Sequence, residues 1–436
     1  MISLGSKWID YTILTCCFLL IIHNMDAPLG YVNPLSIEAY AASSGGLNKQ
    51  VGAILLFAYG IFALFESRHR GPEITLSMPI VLLGAFFLFA TLSLGWSSDL
   101  RVSAGRWFGF ATYTLAGAGA VRRLGSKDLV RWYVIAHCSY LFLGFFNEIR
   151  LGTFHPLATS YRYAGINDDN STGNEAAVLA FSSIAMLRNC SRVRFYRATL
   201  LLALVVLLLT RSRTALMSTI FALLLVYGVL SLRGIKLFIY LYGLAILVSL
   251  PFVLSSLGAL DISNSLSMGR KDASHDTLTG RIPLWSELLT GYVDRRPIVG
   301  YGYGAFWTRE RIEDISNDQG WSIAAAHSIY VDSVLAVGYC GGILYFSLLL
   351  SLFVLSLRIA RTNRQDGFFF ACVVCAVLLD GFSDSGPWYV ASIYLFAPIQ
   401  ACFSLSSRQN PVSKSKGSPA RRIFLTPLPQ SMAPDD

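Results

Sequence analysis

Apolar runs long enough to cross a bilayer recur along almost the whole chain, separated by polar stretches of which some are rich in arginine and two, 25–46 and 384–387, carry no Lys or Arg. A bilayer core takes about 20 helical residues to span. Backbone polar groups in lipid must be satisfied internally, so such runs predict helices. Segments 8–24, 47–65, 76–95, 107–121, 129–146, 173–188, 198–210, 214–231, 236–256, 341–358, 367–383 and 388–406 each read as a span. The expected fold class is therefore an all-α polytopic membrane protein with about 12 transmembrane helices. The expected divisions are helices one to nine in 1–256, a large periplasmic loop with short amphipathic helices in 257–340 and three more helices in 341–406. The Ser-, Pro- and Lys-rich 407–436 reads as a disordered cytoplasmic tail.

Composition points the same way. Only 14% of the 436 residues are charged and 54% are hydrophobic, against about 25% charged in soluble domains. So few charges could not cover a globule's surface. The net charge of +9 does not call for a nucleic-acid partner, because Lys and Arg are scattered between apolar runs. Arg68 and Arg70, then Arg122, Arg123 and Lys127, then Arg188 to Arg197, then Arg233 and Lys236, then Arg358 to Arg364 mark alternate connections, while 25–46 and 384–387 carry no Lys or Arg. That alternation predicts both termini inside. The eight cysteines form no disulfide framework, and Cys372-x-x-Cys375 within ACVVCAVLL reads as small membrane-helix residues. The first apolar run follows Asp10 and lacks a small-residue cleavage site, so it reads as a retained helix.

In this orientation the polar segment 257–326 faces outward, with enough aromatics (Trp285, Tyr292, Phe306, Trp307, Trp321) to suggest a folded cap. A smaller outer connection, 147–172, leads into a helix that Asn174 could cap, or from which it could face a cavity. Arginine is not needed for topology on this face, yet Arg162, Arg211, Arg213, Arg270, Arg281, Arg295, Arg296, Arg309 and Arg311 all fall there. Arg213 sits in TRSRTA, a tight turn between two apolar helices, where an arginine is costly unless paired. Guanidinium binds phosphate bidentately at any working pH; the same side chain could instead snorkel to lipid headgroups. In TLTGRIPLWSELL, Arg281 opens an amphipathic pattern, so a helix N-terminus and a guanidinium could meet an anion there, or the helix could simply rest on lipid.

In AAHSIYVDSVLAVGYCGG, His327 and Tyr330 fall at helical spacing and place the histidine at the mouth of the bundle, as a base, an acceptor positioner or a structural group. The six histidines show no i, i+4 pair and no Asp-x-Asp occurs, so no metal site is indicated. Nor does a P-loop or dinucleotide fingerprint occur, so no cofactor is expected.

TRSRTA, TLTGRIPLW, RRPIVGYGYGAFW and AHSIYVDSVLAVGYCGG, in this order and ahead of the last few helices, resemble the bacterial O-antigen ligase and polysaccharide polymerase family over residues 160–345. The TGR…LW and GYGYGAFW pieces look most like the exopolysaccharide-polymerising branch. Where the family usually has His-Asn, this chain has His327-Ser328.

The resemblance implies a metal-independent glycosyltransferase in the bacterial inner membrane, moving glycan from a polyprenyl diphosphate to a hydroxyl acceptor in the periplasm. Arg213 and Arg281 would hold the diphosphate and His327 would orient or deprotonate the acceptor. Arg162, Asn174, Arg211, Trp285, Tyr303 and Tyr330 would be further substrate contacts, and Gly300, Gly302 and Gly304 would shape the loop against the membrane. The implied partners are the polyprenyl-diphosphate-linked oligosaccharide, a glycan or lipid acceptor, membrane lipids and other polysaccharide assembly proteins.

Bottom-up chemistry is compatible with this, since outside the cytoplasm a sugar must arrive already activated, and expelling a diphosphate builds charge that arginines can stabilise. Polymerisation of repeat units is the leading expectation. Alternatives are ligation of finished glycan to lipid A-core, protein O-glycosylation and, from another class, a polysaccharide transporter or flippase. No internal repeat favours the last of these.

Overall fold

A computed structural model describes residues 4–22, 46–67, 72–158, 161–188, 192–244, 281–321, 323–362, 364–382 and 395–408. The helices among them are α1 (Leu4–Ile22), α2 (Leu47–Glu66), α3 (Met78–Leu92), α4 (Leu100–Leu151), α5 (Asp169–Leu187), α6 (Val193–Leu209), α7 (Arg213–Ser231), α8 (Gly234–Leu244), α9 (Arg281–Glu287), α10 (Arg309–Gln319), α11 (Ile329–Ala360), α12 (Gln365–Asp380) and α13 (Phe396–Leu405). The fold is all-helical, apart from a two-residue antiparallel pairing of Glu73–Ile74 with Ser407–Arg408. The described part of each expected span overlaps one of these helices. The second part of span 236–256, the start of span 388–406, loop residues 257–280 with Arg270, the stretch 384–387 and most of 407–436 lie outside the described residues.

Among the described residues, five helices are long and apolar enough to cross a membrane: α2, α3 with its 3-10 extension to Trp96, α4, α7 and α11. That is fewer than the expected dozen, partly because α4 contains two of the expected spans. Its 52 residues would run about 78 Å as one rod, against a hydrocarbon core of about 30 Å. Gly125, with φ 71° and ψ 170°, breaks it into two arms. Beside that break Arg123 donates to both carboxylate oxygens of Asp10 at 2.8 and 3.0 Å, tying α4 to α1. Arg122 donates to the Ser67 carbonyl at 3.1 Å, and Asp128 accepts from Lys7 and Arg131. Arg122 and Arg123 are two of the basic residues from which the orientation is expected.

At the other end α11 is broken too. Ile329 already begins the helix, well inside the stretch expected to be loop, and Gly338 (φ 65°) interrupts it. The interruption exposes backbone groups that the 297–303 segment satisfies. Tyr339 and Cys340 donate to the carbonyls of Pro297 and Ile298 at 2.7 and 3.2 Å, and Tyr301 donates to Leu335 at 3.0 Å. The segment is pinned on its far side by Ser98 donating to Tyr301 (2.9 Å) and the Trp96 indole donating to Val299 (3.1 Å). Broken helices in membrane bundles persist only where other backbone or side chains take up the freed groups.

A Cβ on Gly338 would stand 2.2 Å from the Ile298 carbonyl oxygen, and one on Gly300 2.5 Å from the Gly338 nitrogen. Gly338→Ala is therefore expected to destabilise the protein by at least about 1 kcal/mol, seen as a lower unfolding temperature in detergent. An unchanged unfolding temperature would refute the threading.

The segment 281–326 has its own hydrophobic cluster, built from Leu284, Leu288, Val293, Phe306, Ile315 and Ile323 and closed by Leu335 of α11. It is thus a folded cap seated on the bundle. Beneath it α12, buried over nearly its whole length, packs against α5, α7, α11 and α13. The cap-side end of this central helix, Asp380 and Gly381, is where the candidate site assembles.

Candidate functional site

The TRSRTA turn is built by its hydroxyls. Thr210 Oγ1 donates back to Leu207 O at 2.9 Å, and Ser212 caps α7 by accepting from the Ala215 N–H at 3.4 Å. Between them Arg211 is forced to φ 50°. Arg213 opens α7, and both arginines are half-buried. Ser212 Oγ also donates to Asn170 Oδ1 at 2.9 Å, bringing the start of α5 to the turn.

Asp168, not Asn174, caps α5, accepting from Asn170 and Ser171 at 3.0 and 2.9 Å. Asn174 lies one turn further in, buried, and donates to Asp380 Oδ2 at 2.8 Å. The next residue, Gly381, accepts through its carbonyl from Ile329 N–H (2.9 Å) and Ser328 Oγ (3.3 Å), the residues following His327. A continuous set of contacts therefore runs from the arginine turn through Asn170, α5, Asp380 and Gly381 to the histidine.

His327 is held from both sides. The Ala326 N–H donates to both oxygens of Asp332 at 3.2 Å, and the Ala326 carbonyl accepts from the Trp285 indole at 2.7 Å. Asp332 is itself fixed by the Trp307 indole at 2.7 Å. Clamped this way, His327 adopts φ 51°, its ring stacked on Trp321 at 6.0 Å. Burial, with the Arg281 charge second, lowers its pKa to about 4. The imidazole is thus neutral at neutral pH and able to accept a proton. That coupling places Arg281, the first described residue of α9, within electrostatic reach of His327.

Among the described residues, Arg211 and His327 are the two non-glycine positions with positive φ. Such conformations cost of order 1–3 kcal/mol each and cluster at functional sites.

Other expected contacts are engaged elsewhere. Tyr303 is fully buried, stacked on Phe110 at 5.7 Å, so it packs the core and offers no surface to a substrate. Its backbone explains the placement: Tyr303 N–H donates to Ser93 Oγ, and Ser103 Oγ donates to Tyr303 O, both at 3.0 Å. The Tyr330 hydroxyl donates to Leu378 O at 2.7 Å and its ring lies 4.5 Å from both Phe346 and Phe382, locking α11 to α12. The Trp285 N–H is committed to Ala326, as above. Arg162 pairs with Asp169, donates to Thr210 O at 3.2 Å and reaches Asn170 Oδ1 at 3.5 Å, so it braces the arginine turn. The glycine loop lies against Ser97 and the α11 break, where the expectation was the membrane.

Sequence reasoning missed Asp332 and Asp380. The available signal was an acid within an apolar run, which is as costly in a membrane bundle as an arginine.

Residues 198–346 match the family model described as O-Antigen ligase. The chain carries the O-antigen ligase family domain. It is accordingly a multi-pass membrane enzyme of the ligase/polymerase type, transferring glycan from a lipid-linked donor. No curated protein matches the chain. The family domain spans Arg211, Arg213, Arg281 and His327, whereas Arg162, Asn174 and Asp380 lie outside it yet complete the frame around them.

Arg309 stands apart. It forms an exposed i, i+4 pair with Glu313, both side chains more than half accessible. Such pairs contribute about 0.3–0.5 kcal/mol, so Arg309→Ala is expected to leave glycan transfer within about twofold of wild type, measured on purified protein. A large loss would place Arg309 in the site.

Proposed function

We propose that the chain polymerises lipid-linked repeat units, transferring glycan from a polyprenyl diphosphate to the hydroxyl of a growing glycan on the outer face of the bacterial inner membrane. In this reading both termini are cytoplasmic and about 12 helices cross. Arg211, Arg213 and Arg281 hold the donor diphosphate and His327 faces the acceptor. The observation that carries it is the pairing of two left-handed, over-constrained residues, Arg211 and His327, at opposite ends of one contact path through Asp380–Gly381. The GYGYGAFW resemblance favours polymerisation over ligation.

The chemistry needs few parts. The acceptor oxygen attacks the anomeric carbon as the bond from that carbon to the diphosphate oxygen breaks, inverting the centre. The hydroxyl proton passes to the neutral His327 ring, and polyprenyl diphosphate leaves with its added charge facing guanidinium donors. Preorganised donors aimed at developing charge are worth several kcal/mol.

The test is reconstitution of purified protein in vesicles with a polyprenyl-diphosphate-linked repeat unit, without nucleotide. Longer glycan on the lipid is the expected product. Transfer only to lipid A-core would replace polymerisation by ligation, and translocation with glycan size unchanged would overturn the enzymatic reading.

A further inference from the structure

Glu148, in the last turn of α4, is 2% exposed. A carboxylate this deep is expensive unless fully hydrogen-bonded, and it is. Oε1 accepts from the backbone N–H groups of Ala164 (2.8 Å) and Gly165 (2.9 Å), while Oε2 accepts from the Tyr161 hydroxyl. Gly165 (φ 71°) turns the two N–H groups toward one oxygen. The approach is close because Gly144 faces it: a Cβ there would come within 2.8 Å of the Gly165 Cα.

One buried carboxylate thus holds the 161–165 loop by three donors. Asn147 Nδ2 donates to Gly165 O at 3.1 Å and Thr172 Oγ1 to Ala164 O at 2.6 Å, completing the platform.

The same loop grips the arginine turn. Tyr163 N–H donates to Leu209 O at 3.0 Å, and Arg162 Nε donates to Thr210 O at 3.2 Å, which anchors the carbonyl end of α6. Arg162 also pairs with Asp169 and approaches Asn170, the residue that receives Ser212 Oγ. Arg211 keeps its left-handed φ because both neighbours are tethered in this way, and a strained residue persists only where its surroundings over-determine it. Anchors for a bound group must be held to within about 0.5 Å.

We propose that Glu148 is a positioning residue for the donor diphosphate: through the 161–165 loop and Arg162 it fixes the turn that presents Arg211 and Arg213. It touches no substrate. The assignment rests on the reading of Arg213 as a diphosphate ligand.

The test uses the full-length protein in vesicles with the polyprenyl-diphosphate-linked repeat unit, comparing Glu148→Ala, Glu148→Gln and Tyr161→Phe with wild type. Glu148→Ala is expected to raise the donor KM about tenfold or more and to lower kcat with it, because displaced arginines also face the leaving group less well, with the acceptor KM within about threefold. Glu148→Gln retains a carbonyl oxygen for the two N–H groups and an NH2 that can donate to the Tyr161 oxygen, so its donor KM should return to within about 1.5-fold of wild type. A Glu148→Ala protein that is merely less abundant, with an unchanged donor KM, overturns the proposal. If that variant does not insert, Tyr161→Phe decides: a donor KM raised about threefold supports the role, and an unchanged one refutes it.

Donor affinity of Arg213→Ala, measured directly by binding, separates the two levels. Unchanged affinity removes the diphosphate reading and this proposal with it. Weakened affinity beside a wild-type KM in Glu148→Ala removes the Glu148 role alone.

Discussion

Arg213→Ala is expected to lower glycan transfer by at least about 100-fold while the protein still inserts and keeps its unfolding temperature. The size follows from the chemistry. A preorganised donor facing the charge that develops on a leaving group is worth about 3 kcal/mol, a factor of roughly a hundred in rate. The insertion part follows from where the side chain sits. Arg213 is the first residue of α7 and half-buried, whereas the turn itself is held by Thr210, Ser212 and Asn170.

Arg281→Ala should lose as much, because Arg281 is the charge that reaches His327 from the cap. Transfer by purified protein in vesicles, alongside the amount inserted, measures both. Normal polymer from either variant would remove that arginine from the diphosphate site.

His327→Ala is the second large effect: a loss of about 100-fold or more, not necessarily to zero, since a hydroxyl acceptor needs base help in the range of about 10²–10⁴-fold. The pH dependence carries more information. Burial first, and Arg281 second, bring the His327 pKa down to about 4. The base form is the neutral ring, present above that value. kcat/KM, which reports the free enzyme, should therefore be flat through neutral pH and fall only as pH drops through about 4.

If Arg281 holds the donor diphosphate as proposed, donor binding would place negative charge beside it and cancel part of its effect on the ring. The acid limb of kcat should consequently lie above that of kcat/KM. An acid limb for kcat/KM near 6.5, the ordinary histidine value, would mean that His327 is solvated and uncoupled in the working enzyme. An unchanged rate in His327→Ala would end its role as a base.

The parts of this protein visible in its sequence are those that depend on local chemistry. Apolar runs name helices because lipid leaves backbone groups no other partner, and the described part of each such run overlaps a helix. Arg213, Arg281 and His327 stand out because a charge or an imidazole amid apolar residues is costly wherever the chain goes. The breaks at Gly125 and Gly338 were less legible: glycine is common in membrane helices, and only the Ile298 carbonyl against Gly338 reveals why that one must have no side chain. Roles assigned by resemblance to large aromatics held least well. Tyr303 and Tyr330 are large side chains that substrate or protein can equally surround: the ring of Tyr303 is buried in the core, and the hydroxyl of Tyr330 donates to Leu378 O.

Sequence alone therefore settled that the chain is a helical membrane protein and which basic residues its polar segments carry. The tertiary structure decided what frames them: Asp380 receiving Asn174 from a residue 206 positions away, Asp332 and Trp285 clamping the peptide before His327, and Glu148 fixing the loop behind the arginine turn. The reason is the range of the forces. Hydrophobic transfer acts on each segment independently of its neighbours, whereas a buried hydrogen bond needs a particular partner, and only the packed bundle determines which one arrives.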